Sequence, residues 1–125
     1  MKKIFTTSKA PAAIGPYSQA VEVKNTLYVS GQIPLNPETG RLVEGGITEQ
    51  TDRVLKNIGA ILSAAGYTYS DVVKSTCFLS DISNFKAMNE VYARYYPEKP
   101  PARAAFAVKD LPLGALIEID AIAAK

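Results

Sequence analysis

The chain has 125 residues, with 14 basic and 12 acidic side chains and a formal net charge of +2, so we predict one domain over residues 1–125. This near balance, with no basic run longer than Lys2-Lys3, disfavours a nucleic-acid partner. A single cysteine and the absence of histidine exclude an intramolecular disulfide, a multi-thiolate or histidine-ligated metal site, and a nucleophile activated by imidazole.

The N-terminal part of the chain is expected to form an arm or loop. Polar residues 6–9 follow residues 1–5, where a signal peptide would continue with an apolar run, and no later stretch reaches the roughly 18 apolar residues of a membrane span. We therefore expect a cytoplasmic protein with no membrane partner. Residues 10–16 contain Pro11, Gly15 and Pro16, a pattern typical of an ordered loop.

A hairpin and a helix are predicted next. Two β-type runs, residues 20–23 and 26–30, flank Lys24-Asn25 and indicate a hairpin. Glycines and prolines between residues 31 and 46 then predict an irregular segment, with one short strand near residues 42–43. From Ile47 apolar residues recur every three or four positions, which predicts an amphipathic helix with Thr48 as N-cap and Gly66 at its end.

The second half of the chain repeats this alternation of strand and helix. Residues 72–79 predict a strand, and residues 82–95 predict a second helix that ends before Pro97. Residues 102–108 and 116–124 predict two last strands. The element order indicates an α+β fold with two helices on one face of a mixed sheet. The last strand carries apolar residues on both of its sides, so we expect a second copy of the chain to cover the other face.

Arg103 is a conspicuous charge, because it lies in an apolar strand with no other charged residue until Lys109. Burying an unpaired guanidinium is costly, so the group requires an anion or backbone acceptors. One interpretation is a structural ion pair with Glu118 or Asp120, which the pattern alone favours. The other is a guanidinium that binds the carboxylate of a ligand through two parallel hydrogen bonds.

Glu118 and Asp120 are expected on one face of the last strand, because side chains alternate along a strand. Carboxylates on an edge strand are common and need no function. We expect the strand of Arg103 to pair with this strand, however, and that pairing would allow one site shared by the arginine and the carboxylate.

Other residues suit either a polar site or ordinary structure. Loop hydroxyls and glycine-backed amides at strand ends, such as Tyr17, Ser30 and Gly31, build oxyanion and carboxylate sites, and they also occur in ordinary turns. Cys77 is expected to be a small buried hydrophobe, since no basic residue stands near it. Asn89, in the second helix, is expected to face solvent.

Taken in order, these residues resemble the reactive-intermediate deaminase (Rid) family, in its RidA branch. The resemblance covers nearly the whole chain and rests on these segments: residues 10–20 (APAAIGPYSQA), 30–34 (SGQIP), 49–51 (EQT), 81–85 (DISNF), Asn89, 101–103 (PAR) and 117–119 (IEI). It implies a chorismate-mutase-like fold assembled as a homotrimer, with active sites in clefts between subunits. It also implies that Arg103 binds the substrate and that the cleft is lined by Tyr17, Ser30, Gly31, Asn89 and Glu118.

The resemblance implies a 2-iminobutanoate/2-iminopropanoate deaminase, a hydrolase acting on C–N bonds of 2-aminoacrylate and 2-iminobutanoate. An imine carbon is already electrophilic, so no cofactor, metal or covalent nucleophile is needed, and no phosphate-loop pattern predicts a nucleotide. Arg103 would hold the carboxylate and Glu118 would act on the attacking water. The remaining polar atoms would be fixed by Tyr17, Ser30 and the amides of Gly31 and Ala105.

One departure and two alternatives stay open. Ala104 and Ala105 follow Arg103 where many RidA-like proteins have Ser and Cys; Ala105 can replace the cysteine's backbone N–H, but a role of the thiol in specificity would be lost. A non-catalytic trimer that binds small carboxylates, as a sensor or regulator, would use the same arginine. A ribonuclease or translation inhibitor is disfavoured, because histidine and a basic stripe are both missing.

Overall fold

A six-stranded sheet organises the chain in the computed structural model, which describes residues 1–125. Its strands are β1 (Lys3–Phe5), β2 (Ala20–Val23), β3 (Thr26–Gln32), β4 (Val72–Leu79), β5 (Ala102–Ala107) and β6 (Ile117–Ala124). They lie in the order β1-β2-β3-β6-β4-β5. β4 and β5 are parallel, and the other neighbours are antiparallel. The predicted mixed α+β sheet is confirmed.

Two helices, α1 (Ile47–Ala64) and α2 (Phe85–Tyr95), cover one face of this sheet, which we call the inner face. The apolar stripe of α1 packs against alternate residues of β6, and both sets are buried: Val54, Leu55, Ile58, Ile61 and Leu62 on the helix, and Ile117, Ile119, Ala121 and Ala123 on the strand. Removing this apolar surface from water is the main stabilising contribution to the fold. Neither helix combines the length and the apolarity that crossing a membrane requires.

The predicted hairpin is confirmed as β2 and β3. Lys24 and Asn25 have φ values of 46° and 63°, as expected for a two-residue turn whose twist matches that of the strands. β3 continues two residues beyond the predicted end at residue 30 and stops at Gln32. Instead of the short strand predicted near residues 42–43, a single bridge joins Leu35 to Leu42.

Three further differences from the sequence predictions have a clear physical reason. β1 was not predicted, because three residues carry no periodic signal and depend on pairing with β2. The N-cap of α1 is Gly46 rather than Thr48; Glu49 fixes it, with Oε1 accepting the Gly46 N–H at 2.9 Å. α2 begins at Phe85, because a short 3₁₀ turn occupies the three preceding residues.

The pairing expected between the last two strands is wrong. β6 lies between β3 and β4, and β5 pairs only with β4, at the edge of the sheet. Directly paired residues share a face. Arg103 pairs with Ser75 and Ser75 with Ala121, which is buried under the helices, so Arg103 is on the inner face.

The opposite face of the sheet, which we call the outer face, has no covering layer within the chain. It carries Glu118 and Asp120 of β6, as predicted together, followed by the apolar Ile122. β3 and β5 add aromatic side chains to this face, of which Tyr28 is 50% exposed and Phe106 is 45% exposed. The last strand is therefore apolar on its outer side only in its final half, and the exposed aromatic side chains of the other strands add to the apolar surface of this face.

Candidate functional site

Arg103 is held on the inner face by α2. One terminal nitrogen, Nη1, donates a hydrogen bond of 2.6 Å to Oδ1 of Asn89, so Asn89 is not the solvent-facing residue that its pattern predicted. No carboxylate pairs with Arg103; the ion pair of the chain is Lys56–Asp52. The structural ion pair with Glu118 or Asp120 is therefore wrong. A guanidinium has five N–H donors, and most of those of Arg103 remain available.

An open cavity lies beside this guanidinium. Its volume is about 420 Å³, and it is lined by Arg103, Asn89, Tyr92, Ala93, Tyr96, Pro100 and Pro101. Ala105, two residues along β5, is half-buried on the same face. We call Arg103, Asn89 and Ala105 the arginine half-site, because together they offer a free cation beside a cavity that can admit a small acid.

Glu118 lies on the outer face, directly over Gly31. A Cβ atom added to Gly31 would be 2.1 Å from Oε2 of Glu118, so only glycine leaves room for this carboxylate. Burial, and then the nearby charge of Asp120, raise the pKa of Glu118 above its usual value. Asp120 itself accepts the backbone N–H of Thr76 at 2.9 Å, whereas Glu118 has no hydrogen-bond or ion-pair partner in the chain. A carboxylate with a raised pKa and free oxygens suits proton transfer.

A second cavity opens at this carboxylate, with a volume of about 490 Å³ and a lining of Ile14, Tyr17, Ser30, Gly31, Ile33, Pro112 and Glu118. Tyr17 is 52% exposed and follows a tight turn in which its N–H donates to the Gly15 carbonyl at 2.9 Å. Ser30 Oγ donates to the carbonyl of Ser18 at 2.6 Å, so its lone pairs remain free to accept. We call Tyr17, Ser30, Gly31 and Glu118 the glutamate half-site.

Buried amide side chains fix the loops that form this half-site. Gln19, only 2% exposed, accepts the Thr7 N–H at 2.7 Å and donates to the Pro11 carbonyl at 2.8 Å. Asn57 donates to the carbonyl of Leu35 at 3.0 Å. These hydrogen bonds replace water as partners of buried loop backbone, and they hold the loop segments next to Tyr17 and Gly31.

The sheet itself separates the two half-sites. Glu118 pairs with Phe78 and Phe78 with Phe106 on the outer face, whereas Arg103 is on the inner face. A site shared by Arg103 and Glu118 of the same chain, which the wrong strand pairing suggested, is therefore excluded. The arginine half-site therefore has one uncompensated positive charge, and the glutamate half-site has one uncompensated negative charge.

Cys77 is the direct neighbour of Ala105 across β4 and β5. Its side chain is fully buried, and burial raises the pKa of the thiol to about 11. The thiol therefore stays protonated and packs as a small hydrophobe, as predicted. No cluster of three or more Cys, Asp or Glu side chains is placed to hold a metal ion.

Replacing Gly31 by alanine should displace Glu118 without disturbing the fold. The added methyl group overlaps Oε2 of Glu118, so the carboxylate must rotate away. For the deaminase reaction that the sequence resemblance implies, we expect kcat/KM to fall by about 10- to 100-fold, as displacements of about 1 Å do in other active sites. Gly46→Ala is the control, since its Cβ would meet nothing within 4 Å. Equal activity of the two variants would show that the position of Glu118 does not matter.

Sequence patterns missed several residues of these half-sites. Ile14, Ile33 and Pro112 line the cavity at Glu118, but they stand in irregular segments with no periodic signal. Asn57 gave a signal that could have been used, because it is a polar residue within the buried stripe of α1. A buried amide on a helix requires partners, and here the partners are the loop carbonyls.

Comparisons with known proteins agree with this architecture. The Endoribonuclease L-PSP family matches residues 7–125. The 2-iminobutanoate/2-iminopropanoate deaminase of Rattus norvegicus is 54% identical over 123 residues, which cover 98% of this chain and 90% of the rat protein. The matched length includes the positions of both half-sites.

Two solved structures are also similar over nearly their full length. RidA from the Antarctic bacterium Psychrobacter sp. superposes with a TM-score of 0.95 at 47% identity, over 98% of this chain and 99% of that one. TdcF of E. coli, solved with bound serine, superposes with a TM-score of 0.94 at 38% identity, over 98% of each chain. The same fold therefore occurs in a protein that binds a small amino acid.

Proposed function

Because the chain belongs to the Endoribonuclease L-PSP family, with relatives at about 50% identity named 2-iminobutanoate/2-iminopropanoate deaminase, we propose that it hydrolyses 2-imino acids to 2-keto acids and ammonia. The main structural support is Arg103, an unpaired guanidinium beside an open cavity. It matches the one group that all such substrates share, the carboxylate next to the imine carbon. We propose 2-aminoacrylate, through its imine form, and 2-iminobutanoate as the substrates.

The proposed reaction needs one bound water and one proton shuttle. Arg103 binds the substrate carboxylate through two N–H groups and so orients the imine carbon. Glu118 accepts a proton from water as the oxygen bonds to that carbon and passes it to the imine nitrogen, which gives a neutral tetrahedral carbinolamine. The same carboxylate then accepts the proton of the carbinolamine hydroxyl and passes it to nitrogen, so that the C–N bond breaks and ammonia leaves as the C=O bond forms. Tyr17, Ser30 and the backbone amides of Gly31 and Ala105 bind the remaining polar atoms.

This chemistry requires the two half-sites to meet, so we propose a homotrimer with its sites between neighbouring subunits. Within one chain Arg103 and Glu118 are on opposite faces of the sheet, and the exposed apolar groups of the outer face favour a covering subunit. In the proposed trimer the arginine half-site of one copy lies against the glutamate half-site of the next. Opposite charges on the two surfaces favour this orientation.

The proposed function is tested by supplying the unstable substrate as it forms. Threonine dehydratase releases 2-iminobutanoate in the cuvette, and semicarbazide traps the imine that has not yet hydrolysed. We expect this protein at sub-stoichiometric amounts to accelerate imine loss over buffer and to form 2-ketobutanoate and ammonia in equal amounts. Stabilised melting by 2-ketobutanoate without any acceleration would instead favour a binding or sensor module, which the serine-bound relative keeps as a second candidate.

Mixing two inactive variants tests whether the sites are shared between subunits. Arg103→Ala and Glu118→Gln are co-expressed with different tags, and the trimers that carry both tags are isolated. If each site takes Arg103 from one copy and Glu118 from the next, about one site in three of these closed rings keeps both groups, whichever variant is in the majority. We expect about that share of wild-type activity. No recovery in mixed trimers of confirmed composition would contradict a site that takes Arg103 and Glu118 from neighbouring subunits.

A further inference from the structure

The guanidinium of Arg103 lies close to two aromatic rings of α2. Its central carbon is 4.9 Å from the ring centre of Tyr92 and 5.5 Å from that of Phe85. Phe85, Asn89 and Tyr92 are separated by four and three residues, so they form one stripe of the helix. These three groups of α2 beside the cation are all uncharged.

Uncharged neighbours hold the Arg103 guanidinium without neutralising its charge. Aromatic faces attract a guanidinium through their quadrupoles, and this attraction is strongest where water is excluded; Tyr92 is only 5% exposed. A carboxylate at the same place would hold the arginine equally well but would occupy its N–H donors and neutralise its charge. The rings fix the cation and leave its edge free.

We propose that Phe85 and Tyr92 are positioning residues that set the affinity of the site for the substrate carboxylate. They act through Arg103: they limit the orientations of its guanidinium, so that little of the binding energy is spent on ordering the side chain. This inference rests on the proposed function for its identification of the ligand as a 2-imino acid, but the effect on Arg103 itself can be measured without any ligand.

The competing explanation is that these rings are ordinary core packing. Tyr95 provides the matched control for that explanation. It is an aromatic residue of the same helix, half-buried, packed on Tyr69 with ring centres 5.3 Å apart, and hydrogen-bonded to Asp52, with no contact to Arg103. Tyr95→Leu therefore removes comparable packing from α2 but leaves the guanidinium close to its rings.

The experiment compares Phe85→Leu, Phe85→Tyr and Tyr95→Leu with the wild type. The first readout is nitrogen spin relaxation of the Arg103 Nε–H group, identified by its absence in Arg103→Ala, which reports the order of the side chain. The second is the KM and kcat for 2-iminobutanoate. We expect Phe85→Leu to disorder the Nε–H group and to raise KM about tenfold, with little change in kcat, because the carboxylate contact is lost equally from ground and transition states.

The other variants decide between positioning and packing. Phe85→Tyr keeps the ring and should restore both the ordered Nε–H group and the wild-type KM. Tyr95→Leu should lower the melting temperature but change neither readout. An ordered Arg103 and an unchanged KM in Phe85→Leu would overturn the inference, and so would equal effects of Phe85→Leu and Tyr95→Leu. If the wild type does not accelerate imine loss, the proposed function fails, and the relaxation data alone decide whether Phe85 positions Arg103.

Discussion

Arg103→Ala should reduce kcat/KM for 2-iminobutanoate by about 1,000-fold or more. The guanidinium is the only cation of the arginine half-site, and a bidentate charged hydrogen bond together with the orientation that it imposes contributes about 4 kcal/mol to transition-state binding. The fold should be preserved, because Arg103 makes one side-chain hydrogen bond, to Asn89. A melting temperature close to that of the wild type would show that the loss is one of binding and catalysis.

Lysine at position 103 should also fail, with a loss of about 100-fold. An ammonium group keeps the charge but lacks the planar array of N–H donors and cannot stack on the rings of Phe85 and Tyr92 in the same way. Arg94→Ala is the matched control, since Arg94 is an exposed arginine of α2 and should be dispensable. Wild-type turnover in both Arg103 variants would remove this residue from the site.

Glu118→Gln should lower kcat by about 100- to 1,000-fold, the range for loss of a general base. Glutamine keeps the shape of the side chain over Gly31 but cannot accept a proton. KM should change little, because Arg103 still binds the carboxylate. Glu90→Gln, an exposed change on α2, is the control. A variant that folds normally and keeps the wild-type kcat would assign the base to another group.

The raised pKa of Glu118 predicts a pH dependence with a definite sign. The proposed mechanism requires the ionised carboxylate, so we expect kcat/KM of the wild type to fall as pH drops through a pKa above the usual glutamate range, and Glu118→Gln to lose this limb of the profile. The contribution of Glu118 to the stability of the fold has the opposite pH dependence, because it decreases as pH rises. Since the folded-state pKa is higher than the unfolded one, the stability contribution of Glu118 is present below the unfolded pKa and is lost as pH rises through the folded pKa.

Glu118→Gln is therefore expected to melt at a higher temperature than the wild type at neutral pH, with the difference disappearing in acid. A substitution that lowers activity and raises the melting temperature is typical of a functional residue whose burial lowers the stability of the folded protein. Thermal melts at several pH values, run beside the kinetic assay, measure both effects. A variant that is less stable at neutral pH would indicate that Glu118 has a structural partner.

The elements were predictable where local sequence decides the structure. The stripe of α1, the glycine after it and the turn residues Lys24 and Asn25 each carry a signal within a few positions, and all three predictions are confirmed. Cys77 was predictable as a core residue for the same reason: a small apolar side chain in a β-branched strand without a basic neighbour.

Pairing between distant strands was not predictable from these signals. β5 and β6 follow each other in sequence, and consecutive strands often pair, yet β4 lies between them. That difference places Arg103 and Glu118 on opposite faces, which no residue pattern revealed. The two rings at Arg103 were missed for a related reason, because Phe85 and Tyr92 fit the apolar stripe of α2 and a core role explained them fully.

Because Arg103 and Glu118 lie on opposite faces of one sheet, the two charges cannot meet within a single subunit. If the two charges faced each other within the monomer, they would neutralise each other during folding, and neither would be free for a metabolite. The sheet keeps them apart, so in the proposed assembly a single subunit would keep both charges but would be inactive. We therefore expect activity only at concentrations where subunits associate, and dilution should abolish it before any subunit unfolds.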